Sequence, residues 1–369
     1  MNLKHFAVEA WMTEHENTCK YNLGDTCTKC LTLEELLILD GSKNEVINKL
    51  LNTTLDYGPI VGSESLLKEI IKLYKKGDIT NITTTHGCIN ANELVLTEVL
   101  NSNDHIVSIT PTYEQLFNLP DSYGVECSVI PLNEKDWSLD MLAIKNSIKS
   151  NTKMICLDNP NNPTGKILSQ QEVDELIKIA SENNLYLFFD EAYRGLNNEY
   201  SISDLYDKGI CSGSLSKLYS CPGIRIGWIK GPQDIIKRIN NRRDYTIISS
   251  GFINDYLGTI VLRNKDKLIK RSKDITKKNK EFLLEWLKSN PHFSIECENL
   301  SSIGFLHYDF NVKSIDFCDW LQEKTGVMFV PGSCFNKEGY LRFGFGNDNE
   351  VVKTGLNLVT QFVKDELNL

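Results

Sequence analysis

The chain has 369 residues, 41% of them hydrophobic, and a formal net charge of −9. That is enough apolar material for a large core, and usually for more than one. The acidic balance leaves no electrostatic footprint for nucleic acid, and no stretch approaches the roughly 18 apolar residues of a membrane span.

Taken in chain order, the start, Met1-Asn2-Leu3-Lys4-His5-Phe6, lacks the apolar stretch of a secretory signal. A cytoplasmic protein is expected. The next segment is dense in acids: Glu9, Glu14, Glu16 and, after Gly24, Asp25. Glu14 and Glu16 taken singly read as a solvated helix face. Cys27-Thr28-Lys29-Cys30 is a lone C-x-x-C among 11 scattered cysteines. Without a second ligand pair at metal spacing it reads as neither a metal nor a redox site.

Residues 65–74 have helical periodicity and end before Gly77. A helix is predicted from Asn92 to Leu100, and strands over 105–109, 127–130 and 154–157. Asn159 to Gly165 (NPNNPTG) is a turn, rich in Asn and Pro. Ser169, with Glu172 three residues on, forms a capping box for a helix running toward Asn183. Residues 185–189 are a buried strand. This alternation implies a mainly parallel sheet covered by helices on both faces, an α/β domain over about 42–238. After residue 239 the pattern changes. A long polar helix over 265–288, strands at 304–308 and 340–343, and a helix over 314–324 describe a smaller α+β domain. It comprises 239–369 together with the N-terminal arm, 1–41.

Three features carry chemistry. Ser214-Leu215-Ser216-Lys217 places a lysine on a short turn after two hydroxyls, as a Schiff-base nucleophile requires. Arg225 follows at a distance that suits a phosphate anchor, its planar fork binding two oxygens. Asp190 ends the buried strand at its carboxyl end, where open α/β sheets bind ligands. It can pair with a protonated pyridine nitrogen. Together these are the parts of a pyridoxal 5'-phosphate (PLP) site.

From about Tyr57 to Arg342 the chain resembles the class I/II aminotransferases of PLP fold-type I. The resemblance implies that Lys217 carries the cofactor as an internal aldimine and that Asp190 pairs with the ring nitrogen. Asn162 and Tyr193 would hold the phenolic oxygen, and Tyr113 would stack on the ring. Gly87-Cys88-Ile89 would form the phosphate turn, completed by Ser214, Ser216 and Arg225. Tyr57 would reach the neighbouring subunit's phosphate in a homodimer with shared sites. Arg342, with Asn162, would hold the substrate α-carboxylate.

The arm departs from the usual pattern. Asn22-Leu23-Gly24-Asp25 resembles, more weakly, a branch acting on guanidino amino acids, which includes arginine-oxidising enzymes, capreomycidine synthase and canavanine γ-lyase. Gly24 and Asp25, helped by Glu9, would then receive a cationic side chain, with Trp11 and the Phe6 region closing as a lid. Transamination is the leading reaction. The alternative is a γ- or β-elimination lyase using the same residues. A non-catalytic binding module is disfavoured because the cofactor positions hold competent residue types.

Overall fold

The computed structural model describes residues 3–196, 200–295 and 301–369. Its centre is a seven-stranded sheet in the order Ile82–Thr85, Gly227–Lys230, Gly209–Ser214, Tyr186–Asp190, Thr152–Asp158, His105–Thr110, Glu126–Pro131. Neighbours run parallel except Gly227–Lys230, which is antiparallel to both strands beside it. The central strands are buried on both faces, which is why they read as unbroken apolar runs. Alternate side chains feed different cores. Ile155, Leu157, Leu187 and Phe189 pack on one side, and Met154, Cys156 and Phe188 on the other.

Helix Gln170–Glu182 has the predicted capping box, with Ser169 Oγ accepting from the Glu172 N–H and the Glu172 carboxylate from the Ser169 N–H. Helix Lys265–Lys288 has the bounds read from sequence. Helix Gly87–Val99 begins five residues earlier than expected. Gly87, at φ 76°, takes the left-handed conformation that lets the strand before it turn straight into the helix.

A four-stranded antiparallel sheet follows, in the order Val330–Pro331, Tyr340–Gly344, Ile303–Tyr308, Phe293–Ile295. Its residues Phe305, Phe343 and Val330 share one apolar core with the large sheet's Ile155 and Leu187. Arg342 therefore projects from a strand fixed on both edges, opposite Val330 and Phe305. Helix Gln233–Arg243 runs through position 239. Helix Phe252–Arg263 packs against helix Glu64–Ile71.

The N-terminal arm ties the two sheets together. Helix Ala7–His15 starts on a carboxylate, with the Ala7 N–H donating to Glu114 Oε2 (2.7 Å). A negative group there stabilises the helix N-terminus. On the other side Trp11 Nε1 donates to the Phe329 carbonyl (2.8 Å). Trp11 is buried and stacked on His15. It is a core residue of this junction.

Candidate active site

A cavity of about 380 Å³ opens at the carboxyl ends of the large sheet's strands, where the arm and the smaller sheet meet them. Lys217 occupies the turn after strand Gly209–Ser214. Its Nζ donates to Thr26 Oγ1 (2.6 Å) and lies 3.8 Å from Cys27 Sγ and 5.7 Å from the centre of the Tyr193 ring. Burial works against the Lys217 ammonium, but Cys27, Tyr193 and Asp25 favour it, and the balance holds its pKa above the ordinary range. The neighbouring Cys30 and burial push the Cys27 thiol up, and burial pushes the Tyr193 hydroxyl up.

Asp190 sits deeper. Its Oδ2 accepts from Asn92 Nδ2 (2.7 Å) and its Oδ1 from the Ala192 N–H (3.0 Å). Ser212 Oγ donates to Asn92 Oδ1 (2.8 Å), which fixes the amide's orientation. Burial pushes the Asp190 carboxyl up, and these hydrogen bonds pull against it. Among the described residues no cation pairs with it. A buried carboxylate so placed is stabilised by a cationic ligand atom. Asp158 lies beside it in register on the neighbouring strand. Its carboxyl accepts from Asn161 Nδ2 (2.5 Å) and the Asn162 N–H (2.9 Å). Burial, with Asp190 adding repulsion, lifts it to about 7 against the pull of the Asn162 N–H.

An anion cradle is built where helix Gly87–Val99 begins. Arg225, in the left-handed conformation at φ 57°, donates to the Pro222 carbonyl (3.0 Å) and the His86 carbonyl (3.3 Å). No carboxylate pairs with it among the described residues. A Cβ on Gly87 would stand 2.8 Å from Arg225 Nη2, so glycine lets the guanidinium approach the helix start. Cys88, Ile89, Ser214 and Ser216 line the same end of the cavity. Unpaired guanidinium, helix N-terminus and hydroxyls form a donor set suited to a phosphate.

Arg342 is buried. Its Nη2 and Nε donate to the Gly24 carbonyl (3.0 and 3.3 Å), and its Nη1 to Asn162 Oδ1 (3.4 Å). It too lacks a carboxylate partner among the described residues. Around it the arm contributes Glu9, Glu16 and Asp25, all lining the cavity. Tyr113 donates its hydroxyl to Glu9 Oε1 (2.6 Å), and Asp25 Oδ1 accepts from the Cys27 N–H (2.9 Å). None of the three carboxylates is in an ion pair among the described residues. Burial, then Asp25 and Glu9, push the Glu16 carboxyl up.

The cavity thus gathers Lys217, Asp190, Tyr193, Asn162, Tyr113, Cys88, Ile89, Ser214, Ser216, Arg225, Arg342, Asp25 and Glu9. Gly87 and Gly24 stand behind its wall and act through backbone. Tyr57 lies outside it and is 68% exposed, its carbonyl accepting from Ser249 Oγ (2.6 Å). Sequence reasoning missed Asn92, Thr26 and Asp158, and it read Glu16 as solvated. Asn92 could have been found only by starting its helix at Gly87. Thr26 had a signal, as the neighbour of Asp25.

The aminotransferase class I and II family model matches residues 32–358, and the chain belongs to that family. It is an enzyme of PLP fold-type I, with pyridoxal 5'-phosphate as its cofactor. Capreomycidine synthase of Streptomyces vinaceus is 25% identical over 367 residues, covering 96% of this chain and 92% of that protein. A probable N-acetyl-LL-diaminopimelate aminotransferase of Bacillus subtilis is 29% identical, covering 80% and 79%. The crystal structure of a PLP-dependent aminotransferase from Streptococcus suis superposes with a TM-score of 0.96 at 36% identity, covering 99% and 98%.

Proposed function

We propose that this enzyme transaminates an α-amino acid with a cationic, guanidino-type side chain. The observation that carries this reading is the charge distribution of one cavity. Arg342, with no ion-pair partner among the described residues, suits an α-carboxylate, and Glu9, Glu16 and Asp25, with none among them either, suit a cationic tail. The nearly end-to-end match to capreomycidine synthase supports the same substrate class.

When bound, PLP supplies an electron sink for charge developing at Cα. The rest is done by this chain. Lys217 Nζ would be the attachment point and the carrier of the Cα proton. Thr26 Oγ1 keeps that amine oriented. Asp190, held in place by Asn92 and the Ala192 N–H, would balance the ring nitrogen's charge. Tyr193 and Asn162 would hold the phenolic oxygen, and Tyr113 would flank the ring. The N–H groups of Gly87 to Ile89, Ser214, Ser216 and Arg225 would bind the phosphate. Tyr57 would complete that cradle from the other subunit of a homodimer.

A second reading is elimination at Cβ or Cγ, which would use the same cofactor-holding residues. One experiment separates the two. The PLP-loaded enzyme is incubated with arginine, canavanine, ornithine and aspartate, with and without a keto-acid acceptor, and products are identified by mass spectrometry. Dependence on the acceptor, with arginine or canavanine preferred, is expected. Side-chain cleavage without acceptor would establish the lyase. Preference for aspartate would refute the cationic substrate.

A further inference from the structure

We propose that Cys27 and Cys30 form a redox-active dithiol that modifies the active site by closing to a disulfide. Cys27 lines the cavity and its Sγ faces Lys217 Nζ at 3.8 Å. Cys30 is the exposed cysteine among the described residues. The C-x-x-C thus runs from the catalytic lysine to solvent in one short turn. That turn is clamped along its length. The Thr28 N–H donates to the Lys217 carbonyl (3.2 Å), the Lys29 N–H to Gly346 (2.7 Å) and the Leu31 N–H to Ser220 (3.1 Å). Arg271 Nη1 donates to the Lys29 carbonyl (2.9 Å).

The two thiols lie three residues apart and influence each other's protonation, which divides their reactivity. The neighbouring Cys30 holds the proton on Cys27, where burial acts in the same direction. The neighbouring Cys27 lowers the Cys30 thiol, assisted by Lys217 and Arg271 against burial and Asp25. An accessible thiol beside cations is the attacking nucleophile, and a less accessible protonated one is the resolving partner.

With a peroxide as oxidant, the Cys30 thiolate attacks one oxygen and the O–O bond breaks. Hydroxide leaves and takes up a proton, giving a sulfenic acid and water. Cys27 sulfur then displaces the sulfenic oxygen as a second water, losing its own proton. Two thiols are oxidised by two electrons and the peroxide is reduced by two. The new S–S bond draws the Cys27 sulfur toward the surface. It also shifts Thr26, whose hydroxyl orients Lys217.

The test uses the PLP-loaded protein and an aromatic disulfide, dithiobis-nitrobenzoate, which releases one coloured thiolate per displacement. The wild type should release two equivalents in a fast phase, at least about tenfold faster than its buried thiols, and retain no label. Cys27→Ser should release one and keep the label. Cys30→Ser should lose the fast phase. The visible circular dichroism of the bound cofactor should change with disulfide formation in the wild type and return on adding dithiothreitol. A fast phase that survives Cys30→Ser, a wild type that keeps the label, or a disulfide that leaves the dichroism unchanged would each overturn the proposal.

Discussion

Asp25 and Arg342 are the residues on which substrate choice is proposed to rest. A charge-assisted hydrogen bond is worth about 1.5–3 kcal/mol, or roughly ten- to a hundredfold in kcat/KM. Asp25→Asn should lower kcat/KM for arginine or canavanine by that factor and spare a neutral amino acid of similar length. Equal losses on both would make Asp25 structural. Asp190→Asn removes the proposed buried partner of the ring nitrogen and should cost about 2–4 kcal/mol, seen as a thirty- to several-hundredfold drop in kcat. Near-native turnover in that variant would place the charge partner elsewhere.

Asp158 gives a prediction that needs no substrate. Its folded pKa, about 7, stands above the 3.8 of an ordinary aspartate, so the folded state holds this proton more tightly than the unfolded chain does. The resulting stabilisation is full below pH 4 and is lost as pH rises through 7. In cofactor-free protein, Asp158→Asn removes that loss and should become progressively more stable relative to wild type between pH 4 and 7. Urea unfolding at pH 5 and pH 8 checks this, and a stability difference independent of pH would contradict it. The placement of Asp190 and Lys217 on the cavity was legible from the strand end and the S-x-S-K turn. Asp158 was not, because only the register of two parallel strands puts it beside Asp190.

At the scale of elements, long periodic segments with caps were legible, helix Lys265–Lys288 and the capped helix Gln170–Glu182 among them. Ser169→Ala removes one capping acceptor and should cost about 1 kcal/mol of unfolding free energy, measured by urea denaturation, with the cofactor spectrum unchanged. The antiparallel direction of Gly227–Lys230 was not legible, since burial on both faces gives the same apolar pattern whichever way a strand runs. Nor was the early start of helix Gly87–Val99, because a glycine at a first turn reads as a break until the close approach of Arg225 explains it. The arm's role in fixing the cavity wall depends on contacts more than 100 residues apart in sequence, such as Ala7 to Glu114 and Trp11 to Phe329.

For the whole molecule, the exposed side chains of Leu51, Leu55, Tyr57 and Ile60 form an apolar stretch that a monomer would leave in water. Such stretches mark association surfaces, and closed two-fold dimers are the commonest solution. Sedimentation velocity should give a dimer, and an active monomer would refute shared sites. The central claim, that the cavity is a PLP site built around Lys217, has a direct test. Borohydride reduction of the loaded enzyme, followed by peptide mapping, should place the phosphopyridoxyl group on Lys217, with the label lost in Lys217→Ala. Label on another lysine, or a protein that binds no PLP, would contradict it.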